Sequence, residues 1–211
     1  MNRQLKTQNM RENILRYSAS EFASQGYLAG SLNTICSKAD ISKGIIYHYF
    51  GSKKELYLAC LEDCFNRLTI GLKHGLQGMD PVSPEDYFLV RSRYFSENPD
   101  EAELFCQAVL YPPRELTADI EEKRAAFDSF NEEVLGQILS GQRLRADLTQ
   151  EDALILFRQL QDFLNARYHQ TIQMDKSETD VSTFDVKKAM QLHEKECLKA
   201  LSIFLYGIIR R

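Results

Sequence analysis

Apolar and small residues recur every three to four positions along most of the chain, the spacing of helices that bury one face. Between residues 31 and 50, SLNTICSKADISKGIIYHYF, this pattern resolves into two short helices. Leu32, Ile35, Cys36 and Ala39 share one helix face. Asp40 then interrupts, and Asp tolerates the left-handed backbone of a tight turn better than most residues do. Ser42 is expected to cap a second helix over 43–50, its hydroxyl accepting from an orphan backbone N–H. Ile46 and Phe50, four apart, turn inward, which leaves Lys43, Gly44, Tyr47 and His48 outside.

The same periodicity organises the rest. Ile14, Leu15, Ala19, Phe22 and Ala23 predict a helix over 10–25, stopped by Gly26, with residues 1–10 frayed. Ser52 caps a helix predicted over 53–76, and GMDPVSP at 78–84 is a linker that ends in a new cap, Ser83. Helices follow over 84–97 and 99–111, then Pro112-Pro113 forces a break. Further helices are predicted over 117–139, from a Thr149–Asp152 cap to 174, and over 183–210, with a loop at 141–148 and a polar, mobile one at 175–182. The expectation is an all-α protein with no strand: a three-helix, helix-turn-helix head over 1–52 and a helical-bundle regulatory body over 53–211, for ligand binding and dimerisation.

The end of the chain is the most apolar part. CLKALSIFLYGII, residues 197–209, is apolar on nearly every side and too short to span a bilayer. A second subunit would complete its burial, and an intrachain core is the alternative. The expected interface takes Phe157, Leu160 and Leu164 from the preceding helix with Leu198, Leu201, Phe204, Leu205 and Ile208. For a small-molecule pocket, Phe88, Phe105, Tyr111, Phe127, Phe130 and Tyr168 supply aromatic surface, and Gln107, Gln161 and His169 polar groups to orient a ligand. Plain core is the alternative for each. No charged group falls at an obviously buried position, which points to an apolar or neutral ligand.

Charge changes the picture. The chain's net charge of −4 hides an asymmetry: residues 1–54 hold eight Lys/Arg against three Asp/Glu, a balance of +5, and the remainder carries −9. A basic head can face phosphate while an acidic body stays off the duplex. At the start of the second short helix, Lys43 can donate to guanine O6 and N7, and Ile45 can meet only a thymine methyl, with Asn33 in support. Tyr47 and His48 can donate to phosphate oxygens. Five cysteines, with no export signal ahead of them, fit free thiols in a reducing cytoplasm. Cys60 and Cys64 have metal-compatible spacing, but no second pair or nearby His completes a site, so they are read as buried thiols. No phosphate loop, G-x-S-x-G or H-E-x-x-H motif appears, and the sequence calls for no cofactor and no metal.

The segment ISKGIIYHYFGSKKEL, 41–56, resembles the recognition-helix signature of the tetracycline-repressor (TetR) family of bacterial regulators. The strong resemblance covers residues 14–56, about a fifth of the chain. Asp40 stands where the family usually has Gly, Cys36 where it has Ala, and Ile45 where Thr, Ser or Ala is common. The resemblance implies DNA contacts from Ser31, Asn33, Ser42, Lys43, Gly44, Ile45, Tyr47 and His48, and a phosphate contact from Lys53. It also implies a homodimer joined by the last two helices of each subunit, and a repressor released from double-stranded operator DNA by a small molecule. A phosphate beside Lys53 would offset the unfavourable placement of Lys53 and Lys54 at a helix N-terminus; for Lys54 a solvated charge is the alternative. Two other functions stay open: a DNA-binding factor with no effector or recruited by a partner, and an all-helical enzyme. Salt-dependent, sequence-specific DNA binding separates the enzyme from the rest, and a ligand-induced shift of that binding separates the first two.

Overall fold

A computed structural model of the chain describes residues 2–140, 143–178, 195–196, 198–205 and 207; the side chains of 2–6, 168–169 and 171–178 are also outside the described set. Among the described residues the elements are all helices: α1 (Asn2–Ala29), α2 (Leu32–Ala39), α3 (Lys43–Phe50), α4 (Lys53–Gly75), α5 (Pro84–Glu97), α6 (Pro99–Leu110), a 3-10 turn (Arg114–Leu116), α7 (Thr117–Ser140) and α8 (Gln150–Glu178). Residues 198–205 are helical as well. The all-α expectation holds, and the boundaries of α2, α3 and α5 coincide with those predicted.

Two ends differ. Helix α1 starts at Asn2, where fraying was expected, because Arg3, Gln4, Leu5 and Lys6 are good helix formers even without an apolar stripe. Helix α8 runs on through residues 175–178, where a loop was expected; residues 179–194 lie outside the described set. Gly26 does break α1, with φ 73 and ψ 173, a backbone that favours glycine.

The chain forms two compact units, Met1–Arg67 with Pro99–Ala125, and Leu68–Asn98 with Ala126–Arg211. In the first, Ile14, Phe22, Ile35, Ile46, Leu56, Leu61 and Phe65 are buried. Gln107 of α6 donates to the Ala23 carbonyl of α1 (2.9 Å). Cys60 and Cys64 are buried thiols beside the carbonyls of Leu15 and Glu101, and burial pushes both thiols' pKa up, so they stay protonated.

In the second unit, α4 and α5 touch closely. A Cβ on Gly71 would lie 2.4 Å from the Tyr94 ring, and one on Gly75 2.4 Å from Val90 Cγ1. Ser83 and Asp86 form a reciprocal capping box at the start of α5, and Thr149 and Asp152 do the same for α8. Phe204 and Leu205 pack against Leu139 and Ala153. The Phe204 ring meets Phe157 edge-on at 5.7 Å.

Candidate nucleic-acid interface

The geometry of the interface begins at Asp40. Its φ of 55 and ψ of 49 place it in the left-handed region, and its N–H closes α2 on the Cys36 carbonyl. The chain then turns through Ile41 into α3. Ser42 occupies the N-cap position but makes no side-chain cap bond, which corrects the expectation from sequence. Its hydroxyl is exposed, and the first turn of α3 carries no acidic residue. Backbone amides at such a helix start suit an anion.

Burial sorts the predicted set. Ile46 and Phe50 lie in the core, while Asn33, Ser42, Lys43, Gly44, Tyr47 and His48 are exposed. Ser31, Ile45 and Lys53 are half-buried. Helix α2 is anchored by a residue that periodicity did not single out. Glu21, 4% exposed on α1, accepts from the Ser31 N–H (3.0 Å) and pairs with Lys38 (3.5 Å). Ser31 Oγ in turn caps α2 by accepting from the Thr34 N–H (3.4 Å).

Lys53 and Lys54 part company. Lys53 Nζ donates to the Leu28 carbonyl (3.0 Å) and lies 5.3 Å from the centre of the Tyr27 ring. Lys54 pairs with Asp119 of α7 at 2.8 Å, and the Asp119 hydrogen bond raises the lysine's pKa. Neither ammonium is merely solvated.

The expected pocket residues divide between the two units. Phe105, Gln107 and Tyr111 belong to the first unit; Phe88, Phe127, Phe130 and Gln161 belong to the second. Phe105 is buried edge-on against Phe65 (5.9 Å), Gln107 is held by Ala23 and Glu103, and Tyr111 is 58% exposed. Phe88 packs on Phe157, Phe127 is buried, and Phe130 lies under Lys73. The side chains of Tyr168 and His169 lie outside the described residues. The second unit instead shows a cleft of about 460 Å³ between the end of α4 and α5, lined by Gly71, Gly75, Leu89, Val90, Arg93 and Tyr94 among others.

The expectation that no charge is buried fails. Arg91 is 5% exposed, donating to Tyr87 Oη (3.4 Å) and Asn165 Oδ1 (3.3 Å). Around it Asn131 donates to Gln161 Oε1 (3.1 Å), Gln161 donates to Tyr87 Oη (3.2 Å), and the Tyr87 hydroxyl donates to Asn131. Partners on α5, α7 and α8 satisfy these groups. The predicted interface set also splits. Phe157, Leu164 and Leu201 are buried within their own chain, while Leu160, Leu198, Phe204 and Leu205 are half-buried. Ile208 lies outside the described residues. The large apolar side chains left exposed there are Ile155, Phe163 and Ile203.

Residues 14–60 match the family model of the bacterial regulatory proteins of the tetR family, and residues 85–205 match that of the tetracyclin repressor-like C-terminal domain. The chain belongs to the TetR family. Its head carries the helix-turn-helix arrangement of these bacterial regulatory proteins. Over 68 residues this TetR protein is 38% identical to the transcriptional activator FasR of Mycolicibacterium smegmatis, covering 32% of its own length and 31% of FasR. It spans less than two thirds of the curated relatives it matches. A tetR-family transcription regulator from Shewanella sp. PV-4 superposes with a TM-score of 0.66 at 17% identity, over 96% of this chain and 99% of that one. The regulator FadR of Bacillus subtilis, solved with stearoyl-CoA, gives 0.62 at 12% identity, over 90% and 98%. At these identities the structures share the fold. No described helix is long and apolar enough to cross a membrane.

Proposed function

We propose that this TetR-family chain is a repressor that binds operator DNA as a homodimer through α3 and is released by a small molecule held in its second unit. The observation that carries the DNA half is the face of α3, where Lys43, Gly44, Tyr47 and His48 are exposed while Ile46 and Phe50 are held in the core. Lys43 reads a guanine edge and Ile45 a thymine methyl. Tyr47, His48 and Lys53 bind phosphate and fix register. Dimerisation uses the exposed Ile155, Phe163 and Ile203 with the half-buried Leu160 and Leu198. Support for the ligand half comes from the FadR fold relative, solved with stearoyl-CoA, and from the cleft against α4. Helix α4 contributes Gly71, His74 and Gly75 to that cleft.

The test compares a selected operator with a random duplex. Tyr47→Phe is expected to weaken binding to both by the same factor, because a phosphate contact carries no sequence information. Lys43→Ala is expected to cost the operator about 5- to 150-fold and the random duplex far less. An operator preference that shifts with Tyr47→Phe and ignores Lys43→Ala would refute the assignment.

A further inference from the structure

We infer that the turn from Gly26 to Gly30 is part of the DNA-binding machinery: Tyr27 and the Leu28 carbonyl position Lys53 for a phosphate. This rests on the proposed role of Lys53 at the DNA backbone.

A lysine side chain has four rotatable carbons and three N–H donors, so an exposed one loses much freedom when it binds. Lys53 is already ordered. One N–H goes to the Leu28 carbonyl at 3.0 Å, and the ammonium sits 5.3 Å from the Tyr27 ring centre. The remaining donors are available to an oxyanion. The holder is itself fixed. Gly26 takes a φ of 73, the Gly30 N–H returns to the Gly26 carbonyl (3.0 Å), and a Cβ on Gly30 would stand 2.7 Å from Phe22. The Tyr27 ring packs 4.9 Å from Tyr57, which is 1% exposed and lies 5.1 Å from Phe22. A continuous chain of aromatic contacts therefore runs from the core of the first unit to the ammonium. Leu28 turns its backbone to the lysine and leaves its side chain 80% exposed.

The arrangement also explains how a lysine is accommodated in the first turn of α4, where the helix dipole disfavours a cation. The carbonyl and the ring face compensate, and both direct the charge toward the α1–α2 turn. Tyr27 is thus a positioning residue that acts through Lys53.

A double-mutant cycle on the full chain tests this, using fluorescence anisotropy with a random-sequence duplex across a salt series. Thermal unfolding checks that each variant folds, and Tyr27→Met stands in should Tyr27→Leu not fold. Tyr27→Leu is expected to weaken binding about two- to fivefold, the range of an exposed cation–π contact, and Tyr27→Phe to stay within about twofold of wild type. Lys53→Met is expected to flatten the salt slope by about 0.9. Adding Tyr27→Leu to Lys53→Met should then cost less than about twofold. The same loss from Tyr27→Leu in both backgrounds would make Tyr27 a packing residue and overturn the inference. Normal binding by Lys53→Met would overturn it while leaving DNA binding in place. A wild-type chain that binds no duplex at low salt would instead bring down the regulator assignment itself.

Discussion

Ser18 is fully buried on α1, and its hydroxyl has no hydrogen-bond partner among the described residues. An unsatisfied buried polar group costs about 1–3 kcal/mol, and alanine is also the better helix former. Ser18→Ala should therefore stabilise the fold by about 1 kcal/mol in urea denaturation, and a loss of stability would show that the hydroxyl does find a partner. Single positions were unevenly legible in the sequence. The outward set on α3 follows from periodicity, because two apolar anchors four residues apart fix the helix face. Glu21 and Arg91 do not, because a charge on an amphipathic helix is assigned to solvent unless its partners are known. Lys38 lies 17 residues from Glu21 and Asn165 lies 74 from Arg91, beyond the reach of a local pattern.

Elements were legible wherever a cap or a breaker is written in the chain. Ser83 and Pro84 start α5, and Gly51 ends α3. Polar helix ends carry no such mark, which is why the start of α1 and the end of α8 were misplaced. The Ser83–Asp86 box has its own pH signature. Hydrogen bonds from Ser83 lower the Asp86 pKa below the ordinary carboxylate value of 3.8. The stabilisation is thus complete above the unfolded-state value, near pH 4, and is lost as pH falls through the lowered one. Ser83→Ala should cost about 1 kcal/mol at neutral pH. Asp86→Asn should flatten the acid limb of the stability profile; an unchanged limb would remove the box from the account.

At the scale of the molecule, the +5 charge of residues 1–54 against the acidic remainder points to a nucleic-acid partner before any geometry. Aromatic residues that line cavities and those that fill cores have the same spacing, so periodicity does not separate them; Phe105 and Phe88 are both buried. If a ligand in the second unit releases DNA, it must bind the free and the DNA-bound forms with different affinity. Linkage then requires that saturating operator weaken that ligand by the same factor, about 5- to 150-fold for a typical coupling. Calorimetry with and without operator, on compounds found by thermal shift, checks this; equal affinities for every compound that binds would leave an effector-free DNA binder.

The most direct test of the central claim is selection from a random duplex pool by the full chain. A homodimer presenting two copies of α3 should enrich an inverted repeat whose half-sites lie about one helical turn, or a multiple of it, apart. Affinity for that repeat should fall steeply as salt rises. A pool that fails to converge, or binding that ignores salt, would contradict the account.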